Sequence, residues 1–198
     1  MIVFGITGGS GSGKTSVSKM LEKLGVHIID TDVIAHEIVE PNSDCLNELV
    51  DYFGDSILND DKTLNRKKLA SIAFSDKQKT EALSNITHKY IRAKVVKDIN
   101  TTDAELVGID GAVIIGSNVE PLCEFIVSVI ADKQSRITRI KTRDNITDEQ
   151  AIQRINAQND DEFYKENSMY IIYNNGDIAQ LESDVVGLFN KIKGNSFE

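Results

Sequence analysis

Apolar residues fall into two rhythms along this chain. Ile2-Val3-Phe4 and Ile6 make a short β-rich run over residues 2–7, bounded by Gly8-Gly9, which predicts a buried first strand. From Thr15 the spacing becomes helical, with Val17, Met20, Leu21 and Leu24 on one stripe and Gly25 as a stop signal. Residues 26–29 read as a second short strand ending at Asp30. Strand, glycine loop, helix and strand follow one another within about 30 residues, the size of a βαβ unit.

Residues 33–100 are mostly helical by pattern. Pro41-Asn42 breaks off a first short helix. Leu46, Leu49, Val50 and Phe53 make an apolar stripe ending at Gly54, and Asn59-Asp60-Asp61 is a turn. Residues 65–74 and 77–100 read as further helices. This block delays the return of the sheet, so it is read as an insertion on one side of the core. Strand character resumes over 106–109, 113–115, 125–131 and 169–172. A charged helix over 134–142 follows the Phe125 strand. Another spans 147–159, with Thr147 and Gln150 at capping-box spacing, and the last covers 178–193. The alternation predicts an α/β domain with a largely parallel sheet.

Composition narrows the classes. A length of 198 residues suits one domain with an insertion. With 40% hydrophobic and 27% charged residues the chain is not wholly disordered. No run approaches the roughly 20 apolar residues of a membrane helix. Lys and Arg number 22 against 31 Asp and Glu, a net charge of −9, which argues against coating nucleic acid. Local geometry can still capture a phosphorylated small molecule. Cys45 and Cys123 form no CxxC pair, so neither a disulfide framework nor a zinc site is expected. A reducing cytoplasm and a start without the basic region of a signal peptide fit together.

The chemistry begins at Gly8-Gly9-Ser10-Gly11-Ser12-Gly13-Lys14-Thr15, which satisfies G-x-x-x-x-G-K-[ST] without a mismatch. Glycines let the backbone curl around an anion so that N–H groups point inward as a nest. The following helix adds its positive N-terminal end. Lys14 reaches the β- and γ-phosphates, the Thr15 hydroxyl is placed to ligate Mg²⁺, and the Ser16 N–H is expected near the α-phosphate. The candidate ATP-binding residues are thus Gly9, Ser10, Gly11, Ser12, Gly13, Lys14, Thr15 and Ser16.

Asp30-Thr31-Asp32 closes the second strand, at the carboxyl edge where open parallel sheets bind ligands. A carboxylate there can take a proton from a hydroxyl or help hold a Mg²⁺ shell. Asp30 and Thr31 serve equally well as helix caps, and Asp32 is the better functional candidate. Arg136, Arg139 and Arg143 share a helix face, and Arg154 follows. Arginines on a closing segment can stabilise a transferring phosphoryl group. Arg136 is expected to be a solvated surface residue, and Arg139 and Arg143 to be functional. His88 among Ile86, Tyr90 and Ile91, and Arg66 at a helix start, read by themselves as structural or surface residues. Phe163 and Tyr164 read as packing.

Taken in order and spacing, these segments resemble the dephospho-coenzyme A kinase family over nearly the whole chain. The resemblance rests on Gly5 through Val17, Ile29-Asp30-Thr31-Asp32-Val33-Ile34-Ala35, Glu40-Pro41, Leu64-Asn65-Arg66, Ala73-Phe74-Ser75-Asp76 and Ile86-Thr87-His88. It continues through Arg139 to Arg143-Asp144, Arg154-Ile155-Asn156-Ala157-Gln158, and Tyr170 to Gly176. It implies a P-loop parallel β-sheet flanked by helices (1–32, 101–133 and 160–198), a helical substrate domain (33–100) and a helical lid (134–159). It further implies transfer of the ATP γ-phosphate to the ribose 3′-hydroxyl of dephospho-coenzyme A. Asp32 is then the base, with Lys14 and Arg139 beside it in catalysis. Arg143 and Arg154 are on ATP, and Arg66, His88 and Asp110 join Asp32 at the acceptor. The chain departs from the family pattern at His36, at Lys89 and at Asp110 to Gly116, where a Pro and a Glu are missing. A kinase of another nucleoside or nucleotide uses the same scaffold. A non-kinase ATPase or switch instead needs a strong carboxylate after a fully apolar strand, for which residues 106–110 are only a passable candidate. A monomer acting on small molecules is expected.

Overall fold

The computed structural model describes residues 1–194. Its elements in chain order are β1 (Ile2–Thr7), α1 (Lys14–Lys23), β2 (His27–Asp30), α2 (Thr31–Glu37), α3 (Asp44–Phe53), α4 (Arg66–Ala73), α5 (Lys77–Thr101), β3 (Leu106–Asp110), β4 (Phe125–Ile130), α6 (Lys133–Asp144), α7 (Asp148–Asn156), α8 (Asp161–Glu166), β5 (Tyr170–Tyr173) and α9 (Ile178–Gly194). The five strands make one parallel sheet in the order β2-β3-β1-β4-β5. This is the α/β class the alternation of patterns predicts. Two compact units divide the chain: Met1–Ile29 together with everything from Thr102 on, and Asp30–Thr101. The last four residues of the segment 160–198, read as part of the core, lie outside the described residues.

In the first unit every residue of β3 and β4 is buried, as are the last four of β1. Strands covered on both faces require continuous apolar runs, which is why these three stand out in the sequence. Phe4, Ile6, Val127 and Val129 share one core with Val17 and Leu21 of α1 and with Leu181, Val185, Leu188 and Ile192 of α9. Rings of Phe4 and Phe125 stack across the β1–β4 pair at 5.4 Å. This core anchors the carboxyl end of β1, where the chain changes from the β3 side of the sheet to the β4 side. Ligands of open parallel sheets bind at that point. A separate small core of Ile137, Ile140, Ala151 and Ile155 joins α6 to α7.

In the second unit α5 packs on α2, α3 and α4. Cys45, Leu46 and Leu49 of α3 and Leu69 and Ala73 of α4 are buried. Ser43 Oγ accepts from Leu46 N at 3.2 Å and Asn65 Oδ1 from Lys68 N at 3.0 Å, so each helix starts on a side-chain cap. Both cysteines are free, and burial pushes the Cys45 thiol up to about 11 and the Cys123 thiol to about 12.

Two expectations are corrected. Residues 113–115 are not a strand. Only Ile114 of the three is buried, Ser117 turns back onto the Ile114 carbonyl, and Gly116 has φ 78°. Three apolar residues with no strand beside them do not make a ladder. The helix expected over 147–159 ends at Asn156, and the unforeseen α8 starts on Asp160, whose carboxylate accepts from Phe163 N at 2.9 Å. Among the described residues no helix is long and apolar enough to cross a membrane.

Candidate active site

The loop between β1 and α1 is shaped by where its carbonyls go. Ser10 O accepts from Arg136 Nε at 2.9 Å, and Gly11 O and Ser12 O accept from one nitrogen of Arg139, each at 3.3 Å. Ser12 O also accepts from Asn174 Nδ2 at 2.7 Å. Gly13 has φ 96°, and a Cβ there would strike Asn174, so only glycine lets this side chain approach. With the carbonyls drawn to cations and an amide on the protein side, the N–H groups of Gly11, Gly13, Lys14 and Thr15 carry no hydrogen bond within the protein among the described residues. That is an anion-binding nest at a helix N-terminus. Ser12 Oγ is buried in the same loop without a partner.

Two N–H groups of the loop region are engaged within the protein. The Ser16 N–H is donated to Gly13 O at 2.9 Å, inside the first turn of α1, and not held free for a phosphate. The Ser10 N–H is donated to Gln158 Oε1 at 2.7 Å. The Thr15 hydroxyl is exposed in the first turn of α1, with no side-chain hydrogen bond among the described residues.

Lys14 Nζ forms an ion pair with Asp110, which is 3% exposed at the carboxyl end of β3. Parallel pairing puts Ile6 opposite Asp110, so β1 carries the loop and β3 carries its counter-ion side by side. Arg139 reaches past the loop to Asn174 O at 3.0 Å, so one guanidinium ties α6, the loop and the turn after β5. Arg143 is exposed and pairs with Asp144 at 2.7 and 2.9 Å. Arg154 of α7 joins the same carboxylate. The Arg143 guanidinium, with Arg154 behind it, holds the Asp144 carboxyl down at about 2.

Asp32, Arg66 and His88 belong to the second unit, on α2, α4 and α5. Asp30 caps α2, its carboxylate accepting from Asp32 N at 2.8 Å and Val33 N at 3.1 Å. That fixes the start of the helix while the Asp32 side chain stays exposed. His36 Nδ1 is hydrogen-bonded with Asp32 O at 2.7 Å. Arg66 is exposed, and His88 is half-buried.

The loop thus gathers its lysine, the strand-end carboxylate and two arginines of α6 around it. The family model of dephospho-CoA kinase matches residues 2–180. The chain belongs to the dephospho-CoA kinase family. A relative of that name from Lactobacillus johnsonii is 34% identical over 191 residues, covering 95% of this chain and 96% of its own. A solved dephospho-CoA kinase from Campylobacter jejuni superposes with a TM-score of 0.70 at 27% identity, over 98% of both chains. A Thermus thermophilus structure reaches a TM-score of 0.84 at 25% identity, over 96% of this chain and 97% of that one.

In this family member Arg136 overturns the expectation of a solvated surface residue: it is 5% exposed and faces the loop. Its signal was its place beside Ile137 and four residues before Ile140, both buried on α6. In the sequence Asn174 and Gln158 stand out only within the segments of the family resemblance, Tyr170 to Gly176 and Arg154 to Gln158. Their contacts to the loop span 162 and 148 residues of sequence, which no local pattern reports.

Proposed function

We propose that this protein transfers the γ-phosphate of ATP to the ribose 3′-hydroxyl of dephospho-CoA, giving CoA and ADP. Membership of the dephospho-CoA kinase family over residues 2–180 carries the reading. The free N–H groups of the loop and Ser12 Oγ would receive the β- and γ-phosphates, with Lys14 leaving Asp110 for them. Arg139, already beside the loop, would neutralise charge on the transferring group. The 3′-hydroxyl gives its proton to Asp32 as its oxygen bonds to the γ-phosphorus, and the bond to the ADP oxygen breaks.

The donor set suits Mg²⁺ that arrives on its nucleotide. Thr15 offers one hard oxygen, and no cluster of three or more His, Cys, Asp or Glu is assembled among the described residues. When bound there the ion would neutralise developing charge on the phosphate oxygens. In the same reading Arg66 and His88 bind the acceptor, with the second unit as its domain. Asp110 adds to that site once Lys14 has moved. The α6–α7 pair is the lid that excludes water, and its Arg143 and Arg154 turn to ATP on closure. The acidic balance of the chain and its two free cysteines support a cytoplasmic monomer acting on small molecules.

The test is an ADP-coupled assay with Mg²⁺ and ATP, comparing dephospho-CoA with adenosine, AMP, UMP and no acceptor. Turnover that depends on dephospho-CoA is expected. ATP binding with stimulation by another acceptor alone would overturn the reading.

A further inference from the structure

Arg136 is a buried arginine whose fork is spent on one loop residue and its neighbour. Its Nε donates to Ser10 O at 2.9 Å and one terminal nitrogen to Gln158 Oε1 at 3.3 Å, while the other lies 3.6 Å from Asp161. Gln158 Oε1 also accepts from Ser10 N at 2.7 Å. Both backbone polar groups of Ser10 are therefore tied to the protein, and the two side chains that tie them are bonded to each other. The guanidinium occupies the space that a Cβ on Gly9 would need. Arg136 comes from α6, and Gln158 follows α7 by two residues. Those two helices share the core of Ile137, Ile140, Ala151 and Ile155.

We propose that Arg136 and Gln158 form a clasp on Ser10 that sets the open curl of the phosphate loop, and so positions it for the polyphosphate of the nucleotide. Arg136 is a positioning residue. It touches the carbonyl of Ser10, whereas the free N–H groups of Gly11, Gly13, Lys14 and Thr15 follow in the loop. Holding Ser10 at both ends fixes the peptide planes on either side of it, which sets the direction of the Gly11 N–H. A loop released from the clasp must be ordered by the ligand, and that ordering is subtracted from affinity. Because both clasp residues hang on the α6–α7 core, the loop's shape is tied to that helix pair. The proposal rests on the reading that this loop binds a nucleoside polyphosphate.

The test uses the full chain with Arg136→Met, Gln158→Leu and Gln158→Glu. Gln158→Glu keeps an acceptor oxygen for both Ser10 N–H and Arg136, and so is the conservative rescue. The readouts are ADP affinity by calorimetry, KM for ATP against kcat and against KM for the acceptor, and amide exchange at Ser10. Arg136→Met and Gln158→Leu are expected to weaken ADP binding and raise KM for ATP by about tenfold, the scale of one charge-assisted hydrogen bond. Acceptor KM and kcat should stay within about threefold, and Ser10 should exchange faster. Gln158→Glu should return ADP affinity to within about threefold of the parent. Unchanged ADP affinity in Arg136→Met and Gln158→Leu would overturn the clasp, as would a Gln158→Glu variant no better than Gln158→Leu. ADP affinity is read without an acceptor. If dephospho-CoA proves not to be the acceptor while the variants lose ADP, the clasp stands and only the proposed function falls.

Discussion

Lys14 and Asp110 pair the phosphate loop with the end of β3. The pair is mostly buried, with side-chain exposures of 14% and 4%, so its strength comes from the low dielectric around it. Lys14→Ala should abolish turnover with every acceptor and destabilise the fold by about 3 kcal/mol, because the buried Asp110 carboxylate loses its lysine. Adding Asp110→Asn should recover most of that stability in a denaturant melt, without recovering turnover. A double variant no more stable than Lys14→Ala would show that the pair does not matter to the fold. Asp32→Asn is expected to lower turnover by about 10² to 10⁴ with ATP affinity unchanged. Weaker ATP binding with preserved turnover would instead make Asp32 part of the metal shell. At this scale the sequence is informative about residues whose role is written in a local motif, such as Lys14 and Thr15. It is silent on those defined by a distant partner. Arg136 looks like any charged helix residue until Ser10, 126 positions away, is placed against it.

The elements were legible where one local force dominates. β1, β3 and β4 are apolar runs because they are buried on both faces, and α7 shows its cap in advance. Thr147 Oγ1 accepts from Gln150 N at 3.3 Å and Gln150 Oε1 from Thr147 N at 3.0 Å. Thr147→Ala should lower stability by about 1 kcal/mol, read as a shift in the thermal midpoint. The apolar run at 113–115 predicts a strand that does not form, because a strand depends on a neighbour and apolar content alone cannot supply one. The α6–α7 pair also carries a pH signature. Asp144 bridges Arg143 and Arg154 and titrates at about 2, below the usual carboxylate value of about 4. Its contribution is therefore fully present above that usual value and is lost as pH falls through about 2. An NMR titration should give the Asp144 carboxyl midpoint near that value, and an ordinary midpoint would show that the bridge does not form in solution.

Across the whole molecule the parallel sheet puts the loop after β1 and the end of β3 on one edge, and this much follows from the order of patterns in the chain. The helical block between β2 and β3 makes up the second compact unit, Asp30–Thr101. Binding of ATP to the first unit should raise the thermal midpoint by mass action, and Lys14→Ala should remove most of that rise. In the proposed reaction the γ-phosphate ends on the ribose 3′-oxygen of dephospho-CoA. The measurement is a reaction with γ-labelled ATP, Mg²⁺ and dephospho-CoA, followed by isolation of the products and location of the label by mass spectrometry and phosphorus NMR. The expected result is label on the 3′-phosphate of newly formed CoA, with one ADP for each. Label found only in free phosphate, or on another position of the acceptor, would contradict it.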